Sequence, residues 1–202
     1  AEDTNRYTVA WVDPTVRGAS CGRGIVTFGD HADEASGADP AAYRPRSPVH
    51  IPGPAVPLVN SVTGRMFSEL WFRRAPRSRD GETMSIPGYF HPLDGVDRWN
   101  RVWGRRGFVQ HQFVVPLDAD DVIREALTTV AASRPANFLN VLKRFGPGSD
   151  RPLSFPMPGW TLTMDLPATA EVASMLRRLD ERVLAAGGRH YLAKDALVSP
   201  AA

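Results

Sequence analysis

Seven side chains on three predicted strands have the chemistry of a small-molecule site. They are amides, hydroxyls, one ammonium and apolar groups: Gln110, Gln112, Val141, Lys143, Phe145, Thr161 and Thr163. Side chains alternate between the two faces of a strand, so on each strand these groups share one face. A few convergent polar groups among apolar ones are typical of a ligand pocket. The alternative is a face buried against another domain with Lys143 in a structural ion pair, and spacing alone favours neither.

Lys143 and Lys194 are the only lysines among 24 basic residues, and all the others are arginines. A GC-rich genome that prefers arginine codons explains most of this bias. An ammonium is nevertheless a compact charge with an adjustable pKa, which a guanidinium does not provide. Both lysines are therefore candidate functional residues.

The other reactive residue types do not form a recognisable site. The five histidines show no metal-ligand spacing and no pair at i, i+4 on a helix, so we expect no metal ion. We expect His111 to be a satisfied core or interface histidine. Cys21 is the single cysteine, which excludes an internal disulfide. No P-loop, dinucleotide fingerprint or G-x-S-x-G elbow is present.

The regular elements that position the seven side chains lie in residues 107–202. Residues 108–115, 138–145, 160–166 and 189–193 are predicted strands. The first predicted helix has Asp118 as its N-cap and ends before Pro135, and the second ends at Gly187 and Gly188. Their apolar stripes are Val122, Ile123, Leu127 and Val130, then Val172, Leu176, Leu179 and Val183. The order β-α-β-β-α-β predicts an α+β, ferredoxin-like antiparallel sheet with both helices on one face.

Residues 1–106 are predicted to be a loop-rich extension of the same domain. Six prolines between positions 29 and 57 argue against a continuous helix or a central strand there. Short extended pieces are expected at 7–12, 24–28 and 68–73. No apolar run approaches the 18 residues of a membrane-spanning helix. The chain starts with Ala1 and not with methionine, as a segment of a longer protein would.

Residues 93–106, called the Arg/Trp segment below, combine apolar and basic side chains. Its apolar members recur at near-helical spacing, with arginines between them: Leu93, Val96, Trp99, Val102 and Trp103, then Arg98, Arg101, Arg105 and Arg106. Tryptophan opposite arginine suits a membrane interface or an anionic lipid head group. The alternative, which we favour, is a charged lid whose tryptophans pack on their own domain.

Five motifs resemble the decaprenylphosphoryl-β-D-ribose oxidases, which are FAD-linked oxidases of the vanillyl-alcohol-oxidase type. They are AWVD at 10–13, FHPLD at 90–94, FLNVLKRFGPG at 138–148, PLSFPMPGW at 152–160 and LDERVLAAGGRHYLAKD at 179–195. The likeness runs from Tyr7 to Asp195 and covers only a substrate-binding domain. The resemblance therefore implies that an FAD-binding domain, absent from this sequence, precedes it.

The resemblance also implies an activity. The ribose 2′-hydroxyl of a polyprenyl-phosphate sugar would be oxidised to a keto sugar, with hydride passing to FAD. A separate NADH-dependent keto-reductase would then complete the epimer for actinobacterial cell-wall arabinan. The implied location is the cell envelope, peripheral to the plasma membrane.

By motif, the resemblance assigns a role to individual residues. Lys194 matches the catalytic lysine beside the isoalloxazine, and Tyr191, Lys194 and Gln112 match cofactor-binding positions. The substrate-lining positions are Trp11, Phe90, Leu93, Gln110, Gln112, Val141, Lys143, Phe145, Thr161 and Thr163. Mycobacterial members have Asn and Cys at Thr161 and Thr163, and Tyr at Phe90. These departures line the pocket, so they bear on which sugar is bound more than on the flavin chemistry.

Two other functions stay open at this point. One is an FAD-linked oxidase of another polyol, sugar or lactone. The other is a ferredoxin-like nucleic-acid module, which would need exposed aromatics on its central strands and a basic surface. Thr161 and Thr163 stand at those strand positions, and the net charge is only +2, so we expect no nucleic-acid partner.

Overall fold

A six-stranded sheet in which every neighbouring pair is antiparallel forms the centre of the protein. The computed structural model describes residues 5–32, 49–51, 57–134 and 137–194. The strands are β1 (Tyr7–Val12), β2 (Gly24–Gly29), β3 (Val49–His50), β4 (Val96–Asp97), β5 (Phe108–Val115), β6 (Asn140–Phe145), β7 (Gly159–Pro167) and β8 (Arg189–His190). The helices are α1 (Ser61–Arg74), α2 (Ile86–Phe90), α3 (Asp120–Ser133) and α4 (Ala170–Ala185).

The second half of the chain supplies four of the six strands and both long core helices. Its elements follow in the order β5, α3, β6, β7, α4, β8, and its strands lie side by side as β6, β7, β5, β8. The predicted α+β class is therefore confirmed. Strands β1 and β2 extend the same sheet beyond β6, while β3 and β4 form a separate two-stranded parallel pair.

The hydrophobic core lies between one face of this sheet and the helices α3 and α4. Phe113, Leu162, Met164, Leu166 and Leu176 are fully buried there. Both predicted helical stripes point into this core, as a 3.6-residue repeat requires. The opposite face of the sheet, called the open face below, carries none of these residues.

Residues 68–73 are helical, so the predicted extended piece at this position was wrong. They lie in α1, whose N-cap Asn60 accepts hydrogen bonds from the Val62 and Thr63 amides. Thr63 Oγ1 in turn accepts from the Asn60 amide, which completes a capping box. An ion pair between Glu69 and Arg73, one turn apart, supports the last turns.

Three predicted boundaries are also corrected. Asp118 is not an N-cap, because the chain turns at Pro116 to Ala119 and α3 begins at Asp120 without a side-chain cap. Strand β6 begins at Asn140 and not at 138, because Asn137 Oδ1 accepts from the Leu139 amide in a local turn. Strand β8 ends at His190, well before 193.

The early extended pieces at 7–12 and 24–28 are confirmed as β1 and β2. Most of the proline-rich stretch, at 33–48 and 52–56, lies outside the described residues, as do Pro135 and Asp195. Within the described part of the chain, no helix has both the length and the hydrophobicity needed to cross a bilayer.

Candidate functional site

The sheet register places the predicted site residues on one face. Across β5 and β7, Gln112 pairs with Thr163 and Gln110 with Asp165. Across β6 and β7, Val141 pairs with Thr163, Lys143 with Thr161 and Phe145 with Gly159, and across β1 and β6 Trp11 pairs with Val141. Paired residues in antiparallel strands point to the same side of the sheet. Gln110, Gln112, Val141, Lys143, Phe145, Thr161, Thr163 and Trp11 therefore all lie on the open face.

A chain of hydrogen bonds joins Lys194 to this face. The Lys194 ammonium donates to Gln110 Oε1 at 3.1 Å, and Gln110 Nε2 donates to Asp165 Oδ1 at 3.0 Å. The side chain of Asp165 is almost completely buried. Asp165 is a residue that the sequence prediction left out, although its alternation with Thr161 and Thr163 places it on the same face.

The turn after β8 brings Lys194 back over the sheet. The Tyr191 amide donates to the Gln112 carbonyl at 2.9 Å, which continues the pairing of β8 with β5 for one residue. The Lys194 amide then donates to the Tyr191 carbonyl at 3.0 Å. The early end of β8 is therefore what allows Lys194 to reach Gln110.

Tyr191 belongs to an aromatic cluster at one end of the open face. Its ring stacks on Phe155 with centroids 4.7 Å apart, and Phe155 meets Phe145 edge to face at 5.6 Å. A pocket of about 480 Å³ opens beside Phe155 and Tyr191. Sequence reasoning missed Phe155, which lies in the PLSFPMPGW motif but outside any regular element.

A second aromatic cluster lies at the opposite end. Trp103 stacks on Phe108 at 5.3 Å and on Phe138 at 5.9 Å. Trp11 is tied to the same end, because its indole Nε1 donates to the Phe138 carbonyl at 3.0 Å. The polar groups of the open face thus lie between two aromatic clusters. These groups, called the polar floor below, are Gln110, Gln112, Lys143, Thr161 and Thr163. A ligand there would contact aromatic side chains at both ends and polar groups beneath it.

Lys143 lies on the open face opposite Thr161. No carboxylate in the described part of the chain forms an ion pair with its ammonium. Burial lowers the pKa of its ammonium, and the positive charge of Lys194 lowers it further. The hydroxyl opposite it, Thr161 Oγ1, already accepts from Gln112 Nε2 at 3.1 Å. The described residues give Lys143 no ion pair within this chain, and the alternative of a face buried against another domain stays open.

Phe90 and Leu93 lie beyond the strands. Phe90 ends α2 and packs edge to face on Tyr7 with centroids 5.0 Å apart. Tyr7 lies on β1 two residues before Val9, which pairs with Lys143, so Phe90 covers the edge of the open face. Leu93 is half-buried in the following 3-10 turn, and its role in binding stays a prediction.

The Arg/Trp segment is not a continuous helix. It consists of the end of one 3-10 turn, the short strand β4 and a second 3-10 turn at Trp99–Val102. Trp103 is 4% exposed, and Trp99 packs on Phe108 at 5.0 Å. The tryptophans therefore pack on their own domain, while Arg98, Arg105 and Arg106 are exposed.

Three titratable residues, His111, Asp180 and His190, lie close together on the core side of the sheet. Their spacing in the sequence did not predict this cluster. His111 Nε2 donates to Asp180 Oδ1 at 2.7 Å, and His190 Nε2 lies 3.3 Å from the same oxygen. Burial lowers the pKa of His190, the nearby charge of Asp180 opposes this shift, and His111 adds to it. The expectation that His111 is a core histidine is correct, although its Nδ1 has no hydrogen-bond partner in the described part of the chain.

No family model matches the chain, but several known proteins are similar to it, among them the following two. The chain is 35% identical, over 96% of its length, to a protein of Mycolicibacterium smegmatis named decaprenylphosphoryl-beta-D-ribose oxidase. It is 38% identical, over 99% of its length, to a Streptomyces coelicolor protein named only for its position in the mprA 5′ region.

The chain spans 44% of the first relative and 58% of the second. The motif resemblance seen in the sequence is therefore confirmed: almost the whole of this chain is similar to one part of a decaprenylphosphoryl-β-D-ribose oxidase.

Proposed function

We propose that this chain is the substrate-binding domain of an FAD-dependent oxidoreductase. Its substrate would be decaprenylphosphoryl-β-D-ribose, whose ribose 2′-hydroxyl is oxidised to a keto group for cell-wall arabinan synthesis. The proposal is supported by the likeness to the mycobacterial oxidase over 96% of the chain. The observation that carries it is the position of Lys194, held over a polar floor between two aromatic clusters.

The residues around Lys194 fit a flavin ring at this edge of the floor. A flavin, when bound, would supply the acceptor for the hydride from the sugar. Gln110 and buried Asp165 hold the Lys194 ammonium in place. A fixed ammonium suits an acceptor on which negative charge develops, because a preorganised charge needs no rearrangement during the reaction. The stacked ring of Tyr191 offers an apolar surface beside it.

The remaining floor residues suit the sugar. Lys143 offers an ammonium that no described carboxylate neutralises, and Thr163, which pairs with Val141, offers a hydroxyl at a diagonal position on the same face. Gln112 is fixed twice, through its side chain to Thr161 and through its carbonyl to Tyr191, so it can orient a ligand precisely. We propose that Lys143 and Thr163 hold substrate oxygens while Val141 and Phe145 contact the apolar parts.

A substrate comparison tests this function. The complete enzyme, meaning this chain together with its FAD-binding domain, would be mixed without oxygen with prenylphosphoryl-ribose, free ribose, an alditol or an aldonolactone. We expect the flavin absorbance to bleach at least tenfold faster with prenylphosphoryl-ribose than with the other three. Mass spectrometry should then find a sugar two hydrogens lighter.

Faster bleaching with the alditol or the lactone would overturn the proposed substrate and favour an FAD-linked oxidase of another polyol, sugar or lactone. The keto product would also need a second enzyme. Reduction by a separate NADH-dependent keto-reductase would give the arabinose epimer, and we propose that reductase as the functional partner.

We further propose a peripheral contact with the plasma membrane through the Arg/Trp segment. Its tryptophans pack inward, so exposed arginines would have to carry this contact by attraction to anionic lipids. We expect the chain to co-sediment with anionic but not with neutral liposomes. Changing the exposed Arg105 and Arg106 together to Glu should abolish the sedimentation.

A matched control is available on the other side of the sheet. Arg177 and Arg178 are exposed on α4, so changing both to Glu alters the net charge equally. This control should sediment like the wild type. Equal loss in both double variants would reduce the interaction to general charge attraction, and no loss in either would make the segment an ordinary lid.

We also propose that residues 107–202 form a ferredoxin-like unit. The chain order β-α-β-β-α-β, the lateral order β6, β7, β5, β8 and the placement of α3 and α4 on one face support this assignment. Its open face is then the surface that binds the substrate.

A further inference from the structure

We propose that His111, Asp180 and His190 form a buried binding site for a divalent transition-metal ion, best suited to Zn²⁺. The three residues come from β5, α4 and β8, and one ligand atom from each lies within 4.8 Å of the other two. The site is on the core face of the sheet, opposite the open face that carries the proposed function. It is therefore independent of the substrate and of the flavin.

One of the distances within the cluster is that of a tetrahedral site. Ligand atoms about 2 Å from zinc lie roughly 3.3 Å apart at tetrahedral angles. His190 Nε2 and Asp180 Oδ1 are 3.3 Å apart. His111 Nε2 and Asp180 Oδ1, at 2.7 Å, would separate by about half an ångström when a metal replaces the proton between them.

Several polar atoms of these three side chains are buried without a hydrogen-bond partner in the described part of the chain. The side chains of His111, His190 and Asp180 are 4%, 6% and 6% exposed. Both ring nitrogens of His190 and the Oδ2 atom of Asp180 have no hydrogen-bond partner among the described residues. Buried polar atoms without partners are costly, and a cation coordinated by imidazole nitrogen and carboxylate oxygen would remove much of that cost.

The donor set selects the kind of ion. Two imidazoles and one carboxylate suit zinc and similar transition metals, whereas Mg²⁺ and Ca²⁺ prefer oxygen ligands throughout. The second Asp180 oxygen or a water molecule would complete four-coordination. His190 is in a two-residue edge strand next to exposed Arg189, so local opening of this short strand gives the ion a route in.

The bound ion would fasten β8 to α4 and β5. Strand β8 leads directly into Tyr191 and Lys194, so a metal on the core face would fix the chain just before the turn that crosses the open face. Its role would be structural, since all three ligands lie on the side of the sheet away from the floor.

Cobalt provides a direct test. The purified chain would be stripped with a chelator, dialysed and titrated with Co²⁺, whose visible absorption reports nitrogen and oxygen coordination. We expect one Co²⁺ per chain, displaced by Zn²⁺, and a higher thermal midpoint with Zn²⁺. Asp180→Asn and His190→Gln should weaken binding roughly a hundredfold or more, since loss of outer-shell partners alone costs about 10- to 100-fold.

His50 supplies the matched control. It is an exposed histidine with Nδ1 2.6 Å from Asp97 Oδ2, so His50→Gln removes a similar pair elsewhere and should bind Co²⁺ like the wild type. A wild-type chain without Co²⁺ absorption at saturation would overturn the proposal. So would absorption that survives Asp180→Asn but disappears in His50→Gln.

The wild type alone can decide the question if the core variants do not fold. In nitrogen-15 spectra of the five histidine side chains, Zn²⁺ should shift the signals of His111 and His190 and leave those of His31, His50 and His91 unchanged. Shifts confined to the latter three would show surface binding only and would overturn the site.

Discussion

Replacing Lys194 by Ala in the complete enzyme should lower the rate of flavin reduction by about a hundredfold or more. Its ammonium is held by Gln110, which is held by buried Asp165, so the charge is fixed before any substrate arrives. Removing one preorganised group from a site of developing charge commonly costs roughly 3 kcal/mol, which gives this factor. Stopped-flow bleaching of the flavin absorbance under substrate saturation measures it.

Two further variants separate a charge effect from a structural one. Lys194→Arg keeps the charge but should recover little activity, because a forked guanidinium does not fit the position of a compact ammonium. Gln110→Leu keeps Lys194 but removes its acceptor, so it should slow reduction by a smaller factor, about tenfold. Near-normal reduction by Lys194→Ala would contradict the role proposed for Lys194.

The face on which these residues lie was predictable from sequence. Strands β5 and β7 alternate, and one set of side chains, including Phe113, Leu162 and Met164, is apolar except for His111. Burying that set under α3 and α4 forces the other set onto the open face, whatever the details of the loops. The period of two therefore predicts from the sequence alone which side chains lie on the open face.

Helix α1 was not predictable in this way, because its pattern is reversed. Its buried residues are the small Gly64 and Ser68, one turn apart, while Met66 and Leu70 are more than half exposed. A Cβ on Gly64 would lie 2.7 Å from the Asn137 carbonyl, so the close approach needs glycine. Methods that follow apolar residues miss a helix that packs through its smallest ones.

Contacts between distant residues were equally hidden. His111 and Asp180 are 69 residues apart, and no spacing rule within one helix or strand links them. Lys194 reaches Gln110 across 84 residues only because β8 ends early and turns. Motif resemblance pointed to Lys194, but its partner was visible only in the fold.

Replacing Lys143 by Met should raise KM for the sugar substrate roughly 10- to 100-fold and leave kcat within about a factor of three. A hydrogen bond from a charged group contributes about 1.5–3 kcal/mol, which corresponds to the expected change in KM. Because Lys143 holds the substrate equally before and during the reaction, its loss is a loss of uniform binding. Steady-state kinetics with prenylphosphoryl-ribose measure both constants, and a fall in kcat as large as that of Lys194→Ala would contradict this division of roles.

The same lysine gives the enzyme a pH dependence with a definite sign. Burial, aided by Lys194, lowers the pKa of Lys143, so its proton is lost at a lower pH than in an ordinary lysine. KM of the wild type should therefore rise as pH increases through that lowered pKa. KM of Lys143→Met should not follow this rise, and Lys194→Ala should move it to higher pH by removing the neighbouring charge.

The free energy of unfolding should increase with pH over the range in which substrate binding weakens. The pKa of Lys143 is lower in the folded than in the unfolded state, so keeping this side chain protonated in the fold costs free energy. The free energy of unfolding is therefore reduced at neutral pH. It recovers as pH rises from the folded pKa to the unfolded pKa, because the unfolded chain then binds more protons. Lys143→Met removes that penalty, so its urea midpoint at neutral pH should exceed that of the wild type, and the difference should shrink as pH rises. A lower midpoint for Lys143→Met would mean that the ammonium stabilises the fold through a partner. The expected result, a more stable protein that binds its substrate poorly, is the pattern of a charge retained for binding.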